Sequence, residues 1–332
     1  MIPYGKHDVK LIEALKVAFQ IRFRSLTQGS KIEEFEKLVA EMVGAKYAVA
    51  VSSATAGLHI AMIALNLPNN SKVITSPISF VASANSIIYA GHQPVFVDID
   101  RDSVNLDLDL VKQKINTDSS VHAVVPVHFA GLPCDMKKLK EITQSKNLKI
   151  IEDAAHALGA HYVTGEKVGS CAYSDMTVFS FHPVKHIASG EGGMITTNNE
   201  NLYKKLLNLR THGIQQDSDK KIENHGIWYY EMQELGYNYR LTDIQAALGN
   251  SQLQRAELGI KRRTEIASKY NYAFDKSPFI KQQSGILNGH AYHLYIIIVD
   301  RRDELMNFLR EQNIYTQVHY IPVHLMPYYK KF

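Results

Sequence analysis

At 332 residues the chain has room for about two domains of roughly 150 residues each, and a composition of 45% apolar and 21% charged residues excludes extensive disorder. Its 37 basic and 33 acidic side chains leave a net charge of +4 without blocks of like charge, so no nucleic-acid partner and no membrane patch are expected. Two cysteines, Cys134 and Cys171, exclude a disulfide framework and a multi-cysteine metal site; with no signal-peptide pattern and no long apolar run, a soluble, cytoplasmic protein without a metal is expected.

From about residue 47 short β-branched runs alternate with longer amphipathic ones, the pattern of a layered α/β sheet. YAVAVSS predicts a strand, ATAGLHIAMIALN a helix, SKVITS a strand, SFVASANSIIYAG a helix ending at Gly91, and PVFVDI a strand. Helix LDLVKQKIN, strand HAVVPVH, helix DMKKLKEITQSKN and strand LKIIED follow, then strands DMTVFSF and GMITT and helix NENLYKKLLNLRTHG. Several of these strands are apolar throughout, as parallel strands buried on both faces are. Residues 214–236, polar and then aromatic, predict an excursion loop. Beyond residue 240 the chain turns to long helices over 241–274, strand HLYIIIV, helix RDELMNFLREQN and strand YTQVHY, a second and smaller unit.

Ligands of an open α/β sheet sit beyond the carboxyl ends of its strands. Strand YAVAV ends in SSATAG, whose following helix offers free N–H groups to an anion; an ordinary cap by Ser52 or Ser53 is the plainer reading. Strand KVITS leads through PISF to Phe80, a flat face at the rim or a core residue. Strand LKIIED ends at Asp153, three residues before His156, which a buried structural histidine would also explain. Strand DMTVFSF carries Ser180, five positions before Lys185, and Lys185 stands among Phe179, Phe181, Pro183, Val184 and Ile187. A lysine so placed either snorkels out to water or is desolvated, with a lowered pKa and nucleophilic character. An anion nest, an aromatic plate, a carboxylate and a lysine together match what pyridoxal phosphate needs: a phosphate, a flat ring, a protonated pyridine nitrogen and an aldehyde. Gly192 and Gly193 of GEGG are expected to serve turn geometry.

LTQGSKIEEFE, VSSATAGLH, SPISFVASAN, IIEDAAHALGA, FSFHPVKHIASGEGG, GYNYRLTDIQAALG and VHYIPVH, in this order, resemble the DegT/StrS-type nucleotide-sugar aminotransferases. The resemblance spans residues 26–324 and implies a fold type I pyridoxal 5′-phosphate enzyme: an arm over 1–20, a large domain with a mostly parallel sheet over 21–248 and a smaller α/β domain over 249–332. It implies Lys185 as the Schiff-base lysine, Asp153 as partner of the pyridine nitrogen, Ser180, Ala54 and Thr55 as phosphate ligands, Phe80 stacked on the ring and His156 beside the ring hydroxyl. It further implies that Asn238 reaches the cofactor phosphate of a neighbouring subunit, in a homodimer with shared active sites. Arg240, His319, Tyr320 and His324 fall in segments that line the sugar-nucleotide site, for a UDP-linked keto sugar as acceptor and L-glutamate as donor. Family members continue past the HYIPVH motif, so an open apolar edge on the small unit is expected. A related sugar dehydratase, which carries a histidine in place of the lysine, and a non-catalytic regulator are the competing readings; Lys185 speaks against the first.

Overall fold

The computed structural model describes residues 5–215, 221–223, 225–284 and 288–331, so parts of the expected arm, of the 214–236 loop and of the small unit lie outside the described residues. Helices α1 (Leu11–Phe23) and α2 (Ser30–Val43) lead into β1 (Tyr47–Val51), α3 (Ala54–Ala64), β2 (Lys72–Thr75), α4 (Ala82–Tyr89), β3 (Gln93–Phe96), α5 (Leu108–Thr117) and β4 (Val121–Val125). Next come α6 (Met136–Gln144), β5 (Lys149–Asp153), β6 (Met176–Ser180), β7 (Gly193–Thr197) and α7 (Glu200–Arg210). The short strands β8 (Ile214–Gln215) and β9 (Glu231–Met232) form a ladder of their own within the expected excursion loop. Helices α8 (Asp243–Leu253) and α9 (Ala256–Phe274), strands β10 (Lys281–Gln282) and β11 (Ile297–Ile298) and helix α10 (Arg302–Glu311) complete the order.

Seven strands join in the order β1-β7-β6-β5-β4-β2-β3, parallel throughout except for β7, which runs antiparallel to both its neighbours. Alternation along each strand sends side chains to two apolar layers. Val124, Ile150 and Phe179 join Phe35 and Val39 of α2 on one face, and Val125, Ile151 and Val178 join Leu58 and Ile60 of α3 on the other. Burial on both faces is why the strands read as continuous apolar runs. The helices start on the residues that suit them: Ser53, Asp107, Asp135, Asn199 and Thr242 each accept a backbone N–H of the turn they open.

The chain beyond α9 departs from expectation. Of HLYIIIV only Ile297–Ile298 forms a strand, against Lys281–Gln282, and YTQVHY forms none. No strand lies beside residues 315–320 among the described residues to complete a ladder. That segment instead turns back to the loops that follow β2, β3 and β4, where Tyr320 packs with Phe129 and Val104 and Val323 N–H donates to Pro77 O. Apolar side chains do stand exposed there, Phe308, Ile321, Leu325 and Tyr328 among them.

Candidate active site

The parallel strands bring their carboxyl ends to one rim. Ser180, last in β6, pairs with Gly193, first in β7. Gly193 in turn lies so close to α3 that a Cβ there would stand 2.7 Å from Ala54 N, closer than real contacts allow. The missing side chain therefore lets Ser180 and the first turn of α3 share one rim. This corrects the expected turn role: neither Gly192 nor Gly193 has a positive φ, a Cβ on Gly192 would run into Ser189 Oγ, and the left-handed turn falls on Gly190 at φ +90°. Ser53 Oγ accepts Ala56 N–H at 3.1 Å, so the plainer capping reading holds as well. The cap leaves the N–H groups of Ala54 and Thr55 for an anion, since the first turn of a helix has no partners for them within the helix.

Asp153, last in β5, is 5% exposed. Its Oδ1 accepts Ala155 N–H at 3.1 Å and its Oδ2 accepts the Ser83 hydroxyl at 2.6 Å, while two oxygens together offer about four acceptor sites. Lys185 sits half-buried near it. Burial pushes the ammonium down to about 8, with the Asp153 charge partly opposing, so the lysine is desolvated rather than snorkelled into water. His156, 6% exposed, is kept neutral by burial and by the neighbouring Lys185, His319 and His186, its pKa well below the usual value. Tyr320 OH lies 3.4 Å from His156 Nε2, and His156 Nδ1 is buried without a partner among the described residues. Phe80 is 60% exposed, which overturns the core reading, and its ring lies 6.4 Å from that of Tyr320.

Lys185, Asp153, His156, His319 and Tyr320 are thus brought together, and Ser180 joins Ala54 and Thr55 at the same sheet edge. Asn238, Arg240 and His324 make no hydrogen bond or ring contact with that group among the described residues. Asn238 is exposed and bridges Thr211; Arg240 is half-buried; His324 lies against Phe96, ring centroids 6.1 Å apart. Sequence reasoning missed Ser79, Ser83, His186 and His293. The His293 ring lies tilted against that of His156, centroids 4.4 Å apart, and its Nδ1 is likewise buried without a partner among the described residues. His186 Nε2 donates to Ala291 O at 2.9 Å, and burial with the Arg263 charge takes its pKa down to about 3. Ser79 and Ser83 stand four apart in SPISFVASAN, Ser79 in the turn before α4 and Ser83 in its first turn, a short spacing that could have pointed to them. Nothing in the pattern around His293 marks it out.

These residues fit pyridoxal 5′-phosphate on the structure's own terms. Free helix N–H groups and a serine hydroxyl suit a phosphate, an exposed ring suits a flat cofactor, and the spare acceptor sites of Asp153 and the orphaned His156 Nδ1 are buried polar groups that a bound ring would complete.

Known proteins carry the same organisation. The sequence profile of the DegT/DnrJ/EryC1/StrS aminotransferase family matches residues 11–332. The spore coat polysaccharide biosynthesis protein SpsC of Bacillus subtilis is 40% identical over 342 residues, covering 99% of this chain and 86% of its own. The UDP-4-amino-4,6-dideoxy-N-acetyl-beta-L-altrosamine transaminase of Campylobacter jejuni is 36% identical over 338 residues, covering 100% of this chain and 86% of its own. Among solved structures, Helicobacter pylori PseC, an aminotransferase involved in the biosynthesis of pseudoaminic acid, superposes with a TM-score of 0.90 at 29% identity, over 99% of this chain and 87% of that one. The chain belongs to the DegT/DnrJ/EryC1/StrS aminotransferase family, its fold is that of these α/β aminotransferases, and its cofactor is pyridoxal 5′-phosphate.

Proposed function

We propose that this sugar aminotransferase moves an amino group from L-glutamate to carbon 4 of a UDP-linked 4-keto-6-deoxy-N-acetylhexosamine. The product would be UDP-4-amino-4,6-dideoxy-N-acetyl-beta-L-altrosamine, a step towards pseudaminic acid. The observation that carries an aminotransferase reading is Lys185, a desolvated amine near a buried carboxylate that has spare acceptor sites. The likeness to the Campylobacter jejuni transaminase supports the choice of sugar.

When bound, pyridoxal phosphate supplies an electron sink for negative charge at the carbon that bears the amino group. The chain does the rest. Ala54 and Thr55 N–H groups and Ser180 Oγ hold the phosphate, Phe80 covers a ring face, and neutral His156 stands beside the ring hydroxyl. Asp153 accepts the N–H of the pyridine nitrogen and keeps that proton in place through a charge-assisted bond. Lys185 Nζ would hold the aldehyde end of the cofactor and, as a neutral amine, would take and return the proton that moves during transfer. Arg240, His319 and Tyr320 face the sugar nucleotide, and the division into an arm to residue 20, a large domain to 248 and a small one beyond is part of the same proposal.

The proposed unit is a homodimer in which Asn238 completes the partner's site. Helix α1 supports this by its inverted polarity: Glu13 and Gln20 are buried, while Leu11, Leu15, Phe19 and Phe23 form an exposed stripe. A stripe of that kind on the outside of a folded chain fits cover by a second copy. The test mixes a Lys185→Ala chain with an Asn238→Ala chain under exchange. A mixed dimer then has one site with both defects and one with neither, so activity should return to up to about half per mixed dimer. A fully active Asn238→Ala chain, or no recovery despite proven exchange, would rule the shared site out.

The higher identity to the Bacillus subtilis protein favours a second reading, an amination of another nucleotide keto sugar. Incubating the cofactor-loaded chain with glutamate and a panel of UDP- and dTDP-4-keto-6-deoxy sugars separates the two, with products assigned by mass and NMR. Amination of the UDP-N-acetyl sugar supports the first reading, and amination of a different sugar alone supports the second. No amination of any keto sugar would overturn both.

A further inference from the structure

Ser83 Oγ lies 2.6 Å from Asp153 Oδ2 and 2.7 Å from Ser79 Oγ, and the three residues are 0%, 5% and 3% exposed in the order Ser83, Asp153, Ser79. Counting protons fixes the direction of this chain. A carboxylate only accepts, so the single hydroxyl proton of Ser83 goes to Asp153, and Ser83 must accept from Ser79. The competing acceptor for both hydroxyls, Phe80 O, is farther, at 3.4 Å from Ser83 Oγ and 3.1 Å from Ser79 Oγ. Ser86, on the same helix and equally buried, spends its hydroxyl on Ser83 O at 2.9 Å and takes no part.

We infer that Ser83, with Ser79 behind it, is a positioning residue that acts through Asp153. The chain of hydroxyls occupies one carboxylate oxygen, fixes the side chain and stabilises its negative charge; such chains polarise one another in a dry interior. With its charge stabilised, Asp153 competes less for the proton it shares with the ring nitrogen, and the proton stays on the ring. This rests on the reading of Asp153 as the partner of the pyridine nitrogen.

The test loads the enzyme with pyridoxal phosphate labelled with 15N in the ring and follows that nitrogen by NMR, alongside the kcat and KM of the half-reaction with glutamate. Asp153→Asn provides the reference displacement towards the neutral-pyridine position. Ser83→Ala, nearly isosteric, is expected to move the signal part of that way in the same direction and to lower kcat about tenfold, the low end for a lost hydrogen bond to a charged group, with KM little changed. Ser79→Ala should do the same to a smaller degree, and Ser86→Ala, which changes the helix packing equally, should leave the signal in place. If Asp153→Asn displaces the signal and Ser83→Ala does not, the positioning role is overturned while the reading of Asp153 stands. If Asp153→Asn itself leaves the signal in place, that reading fails and the inference falls with it.

Discussion

Glu152 and Asp153 are consecutive residues of β5 whose side chains leave opposite faces of the sheet, and they end in opposite conditions. Glu152 is saturated: Oε2 accepts from His128 Nε2 at 2.6 Å and Tyr162 OH at 2.6 Å, and Oε1 from Thr177 Oγ1 at 2.9 Å and from Ser174 Oγ. Burial works to raise its carboxyl pKa, and the bonds from His128, Ser174 and Tyr162 outweigh it and hold it lowered. His128 is likewise complete, its Nδ1 accepting Cys134 N–H at 3.1 Å, which leaves the proton on Nε2 for Glu152. Asp153 has two donors, and His156 beside it has an unpartnered Nδ1. A buried polar group with every site filled holds the fold together; one with sites left over is shaped for something that comes and goes. On the proposed reading the same strand supplies a structural carboxylate and a functional one from adjacent residues.

The contrast can be broken most severely at the lysine. On the proposed reading Lys185→Ala removes both the covalent anchor and the base, so turnover should fall at least about 100- to 10,000-fold, the usual worth of general acid–base catalysis, while circular dichroism and melting stay near wild type. Near-normal turnover in the purified variant would sink the assignment. The carboxylates sharpen the contrast as a crossed pair. Asp153→Asn should slow transamination by about tenfold or more with little change in the urea midpoint, since a unit of proton affinity is about 1.4 kcal/mol. Glu152→Gln should do the reverse, destabilising by about 1–3 kcal/mol because a buried hydrogen-bonded charge is lost, with the folded fraction still active. Equal effects on rate and stability in both variants would erase the distinction.

A pH profile comes next. Only the neutral amine attacks an aldehyde, and with Lys185 pushed down to about 8 roughly a tenth of it is neutral at pH 7. Capture of pyridoxal phosphate by cofactor-free protein should therefore quicken about tenfold from pH 7 to a plateau above pH 9. A rate still climbing through pH 10 would indicate an ordinary, solvated lysine. The smallest effect is expected at Phe80, whose ring is exposed and supports little of the core. Phe80→Ala should leave stability within about 0.5 kcal/mol and weaken cofactor retention several-fold, measured by dialysis, in keeping with the worth of one aromatic stack.

Much of this was legible in the chain itself. Strands β1 to β7 were predicted within a few residues because burial on both faces makes each a continuous apolar run, and Ser180, Asp153 and Lys185 stand out because a polar residue closing such a run marks the sheet edge. The antiparallel course of β7 was not legible, since strand direction depends on the connection rather than on the run. Nor was the role of Gly193, which answers to Ser53 and Ala54, about 140 residues away in sequence. YTQVHY reads as a strand, yet its Tyr320 ring is spent on Phe129 and His156, a tertiary demand that outweighs local propensity. His293 escaped for the same reason: only the folded chain lays it against His156.

The proposed chemistry requires that Lys185, and no other of the chain's lysines, carries the cofactor. Borohydride reduction of the cofactor-loaded chain followed by peptide mass mapping tests it directly. The expected result is a pyridoxyl-phosphate mass increment on the peptide that contains FSFHPVKHIASGEGG, localised to Lys185 and absent from the Lys185→Ala chain. An increment on a different lysine, or none on a chain shown to have taken up the cofactor, would contradict it.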